Sequence, residues 1–207
     1  RGSVEIDFPA GPSEVLILAD RTADPGVIAA DMIAQGEHDP KSISVLVALD
    51  DLLASAVVEE LKIQAASAAR MDIVQQSLDH SAVLLAADLD EALDFCNAFA
   101  PEHLEIITAD PMEALRAIRH AGSVFLGRYT PVAAGDYASG TNHVLPTSGY
   151  ARAFSGLNVD HFTKKISVQM ITDEGLLGLE ETITALAEAE GLRAHAESVR
   201  RRLESKA

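Results

Sequence analysis

The segment Glu14-Val15-Leu16-Ile17-Leu18-Ala19 decides the fold, because an uninterrupted apolar run follows a single charged residue. A short continuous run of this kind is typical of a strand that is covered on both faces of a parallel sheet. Asp24-Pro25 comes next, and Asp is a favoured helix cap while Pro is favoured in the first helical turn. The segment therefore predicts a strand that is followed by a helix.

The same alternation of strand and helix patterns continues to about residue 126. Further strands are predicted at Ser44–Ala48, Ala82–Ala86, Leu104–Thr108 and Ser123–Leu126, and further helices at 51–69, 88–99 and 110–120. Strands that alternate with helices in this way indicate an α/β fold. We predict a mostly parallel, Rossmann-like sheet flanked by helices.

The amino-acid composition of the chain changes after residue 130. Residues 130–158 are rich in Gly, Ser, Thr, Asn and Pro, and a loop this long in a compact domain is usually functional or disordered. The remaining residues predict two helices that break at Glu190-Gly191. Their apolar stripes are Leu176, Leu179, Ile183 and Leu186, then Leu192, Ala196, Val199 and Leu203. We predict an α/β domain at 1–157 and a small helical C-terminal domain at 158–207.

Composition limits the partners that this chain can have. Of its 207 residues 48% are apolar, which is enough for a sizeable core, and the formal net charge is -16. A surface this acidic repels nucleic acid and anionic membranes, and no apolar run approaches the ~20 residues of a membrane span. The single cysteine, Cys96, excludes an intramolecular disulfide and fits a small core residue in a cytoplasmic protein.

The loop from Ala134 to Pro146 has the highest density of chemically reactive side chains in the chain. An acid, a phenol, an amide and an imidazole lie within eight residues, at Asp136, Tyr137, Asn142 and His143. Gly135 and Gly140 would allow turns that bring these side chains together. The composition favours a rigid polar site over a helix, although an ordinary surface loop is an equal alternative.

Three other positions have residue types suited to metal binding or proton transfer. Gln35 and His38 are three residues apart at a predicted helix end, so they share one face and could bind one ion. Glu102 and His103 follow a proline at a predicted strand start, where irregular backbone could let both reach a cleft. His195 lies beside Ala196 on an apolar helical stripe, so we expect it to face packing. Taken alone, each position is also compatible with a surface or structural role.

Several motifs, in order along the chain, resemble those of the histidinol dehydrogenase family. They are Pro9-Ala-Gly-Pro-Ser-Glu14, Gln35-Gly-Glu-His38, Pro101-Glu-His-Leu-Glu105, Gly135-Asp-Tyr-Ala-Ser-Gly-Thr-Asn-His-Val-Leu-Pro-Thr147, Ser155-Gly-Leu-Asn-Val159 and Glu190-Gly-Leu-Arg-Ala-His195. The resemblance covers essentially the whole chain, and this ordered set of motifs is specific to the family and its close relatives.

The resemblance implies an activity and a set of site residues. The family oxidises L-histidinol through the aldehyde to L-histidine with two NAD and one zinc ion. By resemblance, Gln35, His38, Asp136 and His195 are zinc ligands, Glu102 and His103 are the acid–base pair, and Ser13, His143 and Glu190 contact substrate. In the family the tail of one subunit closes the site of its partner, which implies a homodimer in which His195 and Glu190 act in trans.

The chain also departs from the family pattern, because it matches only the C-terminal half of chains about twice as long. By resemblance the other half holds NAD, which agrees with the lack of a G-x-G-x-x-G or P-loop motif here. We therefore expect little or no turnover by this chain alone. Two alternatives stay open: a related dehydrogenase of a sulfonated alcohol, and a non-catalytic zinc-binding remnant.

Overall fold

The computed structural model describes residues 8–204, which belong to two compact units. The first unit extends to Thr163 and the second begins at Lys164. The domain boundary expected after residue 157 lies a few residues before this division. The outer ends of both expected domains, residues 1–7 and 205–207, lie outside the described residues.

The first unit is built on a parallel sheet of five strands. The strands are β1 (Glu14–Ala19), β2 (Ile43–Ala48), β3 (Ala82–Leu85), β4 (His103–Ile107) and β5 (Ser123–Leu126). Their spatial order is β3-β2-β1-β4-β5, and every neighbouring pair is parallel. This is the order of a doubly wound Rossmann-like sheet, in which the winding reverses between β1 and β4. The predicted fold class is confirmed, and all five predicted strands are present.

Helices follow most of the strands, as the alternating pattern predicts. Those of the first unit are α1 (Pro25–Gly36), α2 (Asp51–Ala65), α3 (Met71–Leu78), α4 (Leu89–Phe99), α5 (Pro111–Leu115) and α6 (Val132–Tyr137). The predicted cap of α1 is confirmed, since the Asp24 side chain accepts a hydrogen bond from Gly26 N at 2.9 Å. No helix among residues 8–204 is long and apolar enough to cross a membrane.

The alternating side chains of β1 enter two different cores. Val15 and Ile17 pack on one face with residues of α1 and α2, whereas Leu16 and Leu18 pack on the other face with residues of α4. All four side chains are fully buried. A strand covered on both faces cannot alternate apolar and polar residues, which explains the continuous apolar run.

The two edge strands are less covered than their apolar sequences predict. On β3, Leu84 and Leu85 are 36% and 60% exposed, and β5 is only partly buried. An apolar run shows that its residues are suited to burial, but it does not show whether a neighbouring helix or strand covers them. The continuous apolar runs of β1, β2, β3 and β5 predict cover on both faces, and this expectation holds for β1 and β2, is wrong for β3 and holds only in part for β5.

Two helical predictions were too long, and one helix was missed. The helix predicted at 51–69 ends at Ala65, and α3 follows it without having been predicted. The helix predicted at 110–120 is regular only through Leu115. Its end is explained by Asn97 on α4, whose side chain donates to Ala117 O at 3.0 Å and accepts from Arg119 N at 2.7 Å. These bonds hold the backbone in a non-helical path.

The second unit is a pair of helices, α7 (Asp173–Ala189) and α8 (Arg193–Glu204). The predicted break is confirmed, because Gly191 has a φ of 76°, in the left-handed region that favours glycine. The buried side chains between these helices are Thr184, Ala187, Ala196 and Val199. Leu179 and Leu186 are 44% and 61% exposed, so the apolar stripe expected on the first helix is not buried within this unit.

The bridging role of Asn97 gives a stability prediction. We expect Asn97→Ala to lower the free energy of unfolding by about 1–3 kcal/mol, because it removes two hydrogen bonds and leaves backbone groups without partners. Urea unfolding followed by circular dichroism measures this change. Asp94→Ala, on the exposed side of the same helix, is the matched control. Equal losses in the two variants would contradict the bridging role.

Candidate active site

A polar cavity of about 320 Å³ gathers most of the predicted site residues. Its lining consists of Ser13, Gln35, His38, Glu102, His103, Asp136, Tyr137 and His143. Ser13 directly precedes β1, and Glu102 directly precedes β4, so the cavity lies at the amino ends of the two central strands. Gln35 and His38 reach the same edge because α1 runs back across the sheet and ends there. Residues that are distant in sequence thus meet at one place.

The start of β4 explains how two adjacent residues both face this cavity. Ala100 has a φ of 54°, and Pro101 follows it, so the backbone is irregular immediately before the strand. Glu102 and His103 are each only 5% exposed, and both line the cavity. Gly122 packs closely here, since a Cβ at that position would lie 2.6 Å from Glu102 O. The irregular strand start that we expected is therefore present.

Glu14 holds the Glu102 and His103 side chains in place. Glu14 N donates to Glu102 Oε2 at 2.9 Å, and Glu102 N donates to Glu14 Oε1 at 3.2 Å. A third bond joins His103 Nδ1 to the main-chain oxygen of Glu14 at 3.0 Å. Ser148 N also donates to Glu14 Oε1, at 3.0 Å. Sequence reasoning missed this role, although a carboxylate that opens a buried apolar strand was a signal for it.

The contact with Glu14 fixes the proton arrangement of His103. A carbonyl oxygen only accepts, so Nδ1 of His103 carries the hydrogen and the lone pair of the neutral ring is on Nε2. Nε2 is buried and has no hydrogen-bond partner among residues 8–204. Burial is the main cause that lowers the pKa of His103, and it favours the neutral ring. The imidazole is therefore able to accept a proton at Nε2.

Glu102 differs from an ordinary glutamate in its affinity for a proton. Burial, with a further contribution from the charges of Glu14 and Asp136, raises the pKa of Glu102 to about 7. Hydrogen bonds from Glu14 N and the Ser13 side chain act in the opposite direction. A carboxyl that titrates near neutral pH can both accept and return a proton during one reaction cycle.

Asp136 reaches the cavity from a helix and not from the loop that we expected. Val132–Tyr137 forms the short helix α6, so the prediction of a non-helical loop from Ala134 is wrong for its first residues. Gly135 does not serve a turn there. It is buried on this helix, and a Cβ would lie 2.7 Å from the Phe125 ring, so glycine permits the close approach. Gly140, with a φ of 85°, does occupy the kind of turn that was predicted.

Gln35, His38 and Asp136 present a donor set that suits a metal ion. The Gln35 side chain is 3% exposed, and its terminal Nε2 position has no hydrogen-bond partner among residues 8–204. Rotation about the last side-chain bond exchanges the amide nitrogen and oxygen, so the carbonyl oxygen can take this free position. An amide oxygen, an imidazole and a carboxylate are all suitable zinc donors.

The donor set of this chain is nevertheless incomplete. Within the described range, 8–204, no three His, Cys, Asp or Glu side chains are grouped so that they could hold a metal ion. Of these residue types, the predicted ligand set has only His38 and Asp136 at the cavity. Residues of the first unit thus provide a partial metal site at most.

The remaining predicted site residues, Glu190 and His195, belong to the second unit. Glu190 caps the C-terminal end of α7, and His195 lies in the first turn of α8. Both side chains are exposed. The expectation that His195 faces packing is wrong, because its neighbour Ala196 occupies the buried side and adjacent helical residues point about 100° apart. An exposed imidazole is free to act outside its own unit.

A larger groove elsewhere in the first unit lacks comparable chemistry. It has a volume of about 470 Å³ and lies among residues of α2, α3 and β3. Its lining is mainly aliphatic, with Lys62 as its one ionisable side chain. A groove of this composition offers no acid–base pair and no metal donors, so the smaller polar cavity is the candidate active site.

Comparisons with known proteins identify the family to which the chain belongs. A family model described as histidinol dehydrogenase matches residues 1–203. The chain is 57% identical over 202 residues to histidinol dehydrogenase from Methanosarcina barkeri, covering 98% of this chain and 47% of that protein. Against histidinol dehydrogenase from Methanothermobacter thermautotrophicus it is 58% identical over 203 residues, covering 98% and 48%. The chain thus spans about half the length of these relatives.

A solved structure extends the likeness to the fold. The crystal structure of histidinol dehydrogenase from Elizabethkingia anophelis superposes with a TM-score of 0.94 and 42% sequence identity. The match covers 96% of this chain and 46% of that one. Family model, curated relatives and solved structure all point to the same assignment, and the chain belongs to the histidinol dehydrogenase family.

Proposed function

We propose that this chain forms the zinc- and substrate-binding part of an enzyme that oxidises L-histidinol, through L-histidinal, to L-histidine with NAD. The observation that carries the proposal is the convergence of Ser13, Gln35, His38, Glu102, His103, Asp136 and His143 on one cavity. Family membership adds the name of the reaction, but the relatives are about twice as long as the chain. Substrate, cofactors and assembly are therefore parts of the proposal.

Gln35, His38 and Asp136 are the zinc ligands that we assign to one subunit, and His195 of a second subunit completes the set. This trans arrangement is supported by the exposed position of His195 and by the incomplete donor set at the cavity. When bound, zinc supplies a Lewis-acidic anchor for the nitrogen donors of an amino alcohol such as histidinol. Ser13 and His143 line the cavity where such a substrate would lie, and Glu190 of the second subunit would add a carboxylate beside a cationic group.

His103 is the base that we assign to the two oxidations. Its Nε2 accepts the hydroxyl proton of the alcohol, while Nδ1 stays bonded to Glu14 O and keeps the ring in the required orientation. NAD, when bound, accepts hydride from the carbinol carbon, and its binding site is expected in the half of the family sequence that this chain does not cover. Each oxidation then releases one proton and one NADH.

Glu102 is the base that we assign to hydration between the two oxidations. The aldehyde must add water before it can lose a second hydride, and the Glu102 carboxylate accepts a proton from that water. A pKa of about 7 leaves a substantial ionised fraction at neutral pH. Because Glu102 Oε2 is bonded to Glu14 N, the carboxylate is held at the wall of the cavity instead of rotating freely.

The first prediction concerns the metal. Purified chain should bind about one zinc per site, and His38→Ala should weaken binding by more than about 100-fold, since loss of a direct ligand exceeds the 10–100-fold effect of outer contacts. Competition with a chromophoric chelator measures the affinity. His80→Ala, which removes an exposed imidazole after α3, is the control and should bind zinc normally. Undiminished zinc in His38→Ala would refute the ligand assignment.

The second prediction concerns reconstitution. The chain alone should produce no NADH from histidinol, and activity should appear when the N-terminal half of the Methanosarcina barkeri relative is added. Absorbance of NADH at its characteristic band follows the reaction. NADH production by the chain alone would contradict the proposal, and so would persistent inactivity when both halves fold and associate. The latter result would favour a non-catalytic zinc-binding role.

The third prediction separates the two bases in the reconstituted enzyme. His103→Asn should lower kcat for histidinol, and Glu102→Gln should lower kcat for histidinal, each by roughly 10²–10⁴. Because the Glu102 carboxylate is the active form, the rate with histidinal should fall as pH drops below about 7, and Glu102→Gln should lack this limb. Both variants should retain zinc, and His80→Asn should behave like the unmodified chain. If the rate of Glu102→Gln with histidinal still falls below about pH 7, Glu102 is not the base that activates water.

A further inference from the structure

Asp31 and Glu105 form a buried acidic contact that neither base catalysis nor zinc binding uses. Glu105 lies two residues after His103 on β4 and is 2% exposed, while Asp31 lies on α1 and is half-buried. The Asp31 carboxyl is within hydrogen-bonding reach of the Glu105 side chain. In the sheet, Glu105 is flanked by Ile17 and Phe125, so its surroundings at that level are apolar.

The two oxygens of Glu105 have different partners. Oε1 accepts a hydrogen bond from Val132 N at 3.1 Å, at the start of α6. The residue that caps α6 is Pro131, whose side chain makes no cap, so a carboxylate from the neighbouring strand serves this backbone N–H instead. Oε2 is buried and receives no hydrogen from any N–H or hydroxyl group of residues 8–204. Two ionised carboxylates only accept hydrogen bonds, so a direct hydrogen bond between Asp31 and Glu105 needs a proton on one of the two carboxyl groups.

The charges around this contact favour such a proton. Burial raises the pKa of both groups, the negative charge of Asp31 raises that of Glu105 further, and no cation among residues 8–204 opposes these effects. Two carboxylates in contact in an apolar setting do not both ionise near neutral pH. The other titratable groups of the adjoining cavity are Glu37, His38, Asp136 and Tyr137. None of them contributes to the raised pKa values, which arise from burial and from the contact itself.

The contact joins the three elements that carry the candidate active site. Asp31 is one helical turn before Gln35 on α1, Glu105 follows His103 on β4, and Val132 begins the helix that carries Asp136. A proton between Asp31 and Glu105 would hold α1 to β4, and the Val132 bond holds α6 to the same glutamate. Loss of the proton would place two negative charges side by side at this junction.

We propose that Asp31 and Glu105 share one proton and act as a positioning pair that holds α1 and α6 against β4. The pair keeps Gln35, His38 and Asp136 in the relative placement that a shared ion requires, and this part of the inference rests on the proposed function. Neither residue touches substrate. Their role is to orient the side chains that do, in the way that outer contacts orient metal ligands.

The shared proton makes the stability of the chain depend on pH. The folded state binds this proton more tightly than the unfolded chain, so its contribution is present at low pH and is lost as pH rises through the folded-state pKa. The thermal midpoint should therefore fall progressively from about pH 4.5, the ordinary pKa of a glutamate, to about pH 8, the folded-state pKa of Glu105. Asp31→Asn and Glu105→Gln should show a smaller fall, because an amide N–H replaces the shared proton permanently, while the raised pKa of Glu102 leaves a residual fall in every variant. Asp94→Asn, which removes an exposed carboxylate on α4, should follow the unmodified chain.

Zinc affinity tests the positioning role on the same chain. Asp31→Ala removes the contact and should weaken zinc binding by about 10–100-fold, as loss of an outer contact does, whereas Asp31→Asn should stay within about threefold. Both variants remove the negative charge, but only the asparagine can still form a hydrogen bond. Normal zinc affinity in Asp31→Asn would therefore show that the hydrogen bond, and not the charge, is what matters.

The outcomes are separable. If Asp31→Asn and Glu105→Gln follow the unmodified chain at every pH, no proton is shared and the inference fails. If Asp31→Ala and Asp31→Asn bind zinc equally well, the pair does not position the ligands. If the unmodified chain binds no zinc, the proposed zinc site and the positioning role both fail, while the unfolding series still decides whether the proton is shared.

Discussion

The clamp between Glu14 and Glu102 is the interaction on which the candidate active site depends. Each residue gives its backbone N–H to the carboxylate of the other, at 2.9 and 3.2 Å, across the junction of β1 and β4. The same Glu14 fixes the ring of His103 through its main-chain oxygen. Buried carboxylates are costly unless they are hydrogen-bonded, so the starts of the two strands, with Glu102 and His103, depend on each other for stability.

The clamp also explains where the site lies. Ligands of doubly wound sheets usually bind at the carboxyl ends of the strands, near the point where the strand order reverses. Here the order reverses between β1 and β4, but the polar side chains collect at the amino ends of these strands. The irregular backbone at Ala100 and Pro101 and the return of α1 to this edge make the arrangement possible. Phosphate-binding glycine loops follow the carboxyl end of a strand, so this site at the amino ends does not use one.

Buried acids form a second layer around the site. Glu14, Glu102 and Glu105 are each at most 5% exposed, and burial raises the pKa of all three. Glu14 is satisfied by backbone N–H groups, Glu102 faces the cavity, and Glu105 faces Asp31. A single fold thus places the same side chain in three environments, and in our proposals these environments suit the three groups to structure, proton transfer and positioning.

The amino-acid sequence by itself determined the sheet, because a strand covered on both faces needs the continuous apolar run seen at Val15–Ala19. It also determined the start of α1, since Asp24 can cap the helix through a local hydrogen bond. Residue type and local spacing singled out the candidates Gln35, His38, Glu102, His103 and Asp136, and the resemblance of short motifs supplied their roles. No spacing along the chain could show that they meet.

Tertiary structure decided what depends on contacts between distant residues. Only packing against Phe125 and the bond from Val132 N to Glu105 explain why a glycine-containing loop segment is helical at α6. Only the bonds of Asn97 explain why α5 stops early, and only the packing of Ala196 explains why His195 is exposed. Local sequence reports which conformations a segment tolerates. The choice among them is made by long-range hydrogen bonds and burial, which the sequence does not display.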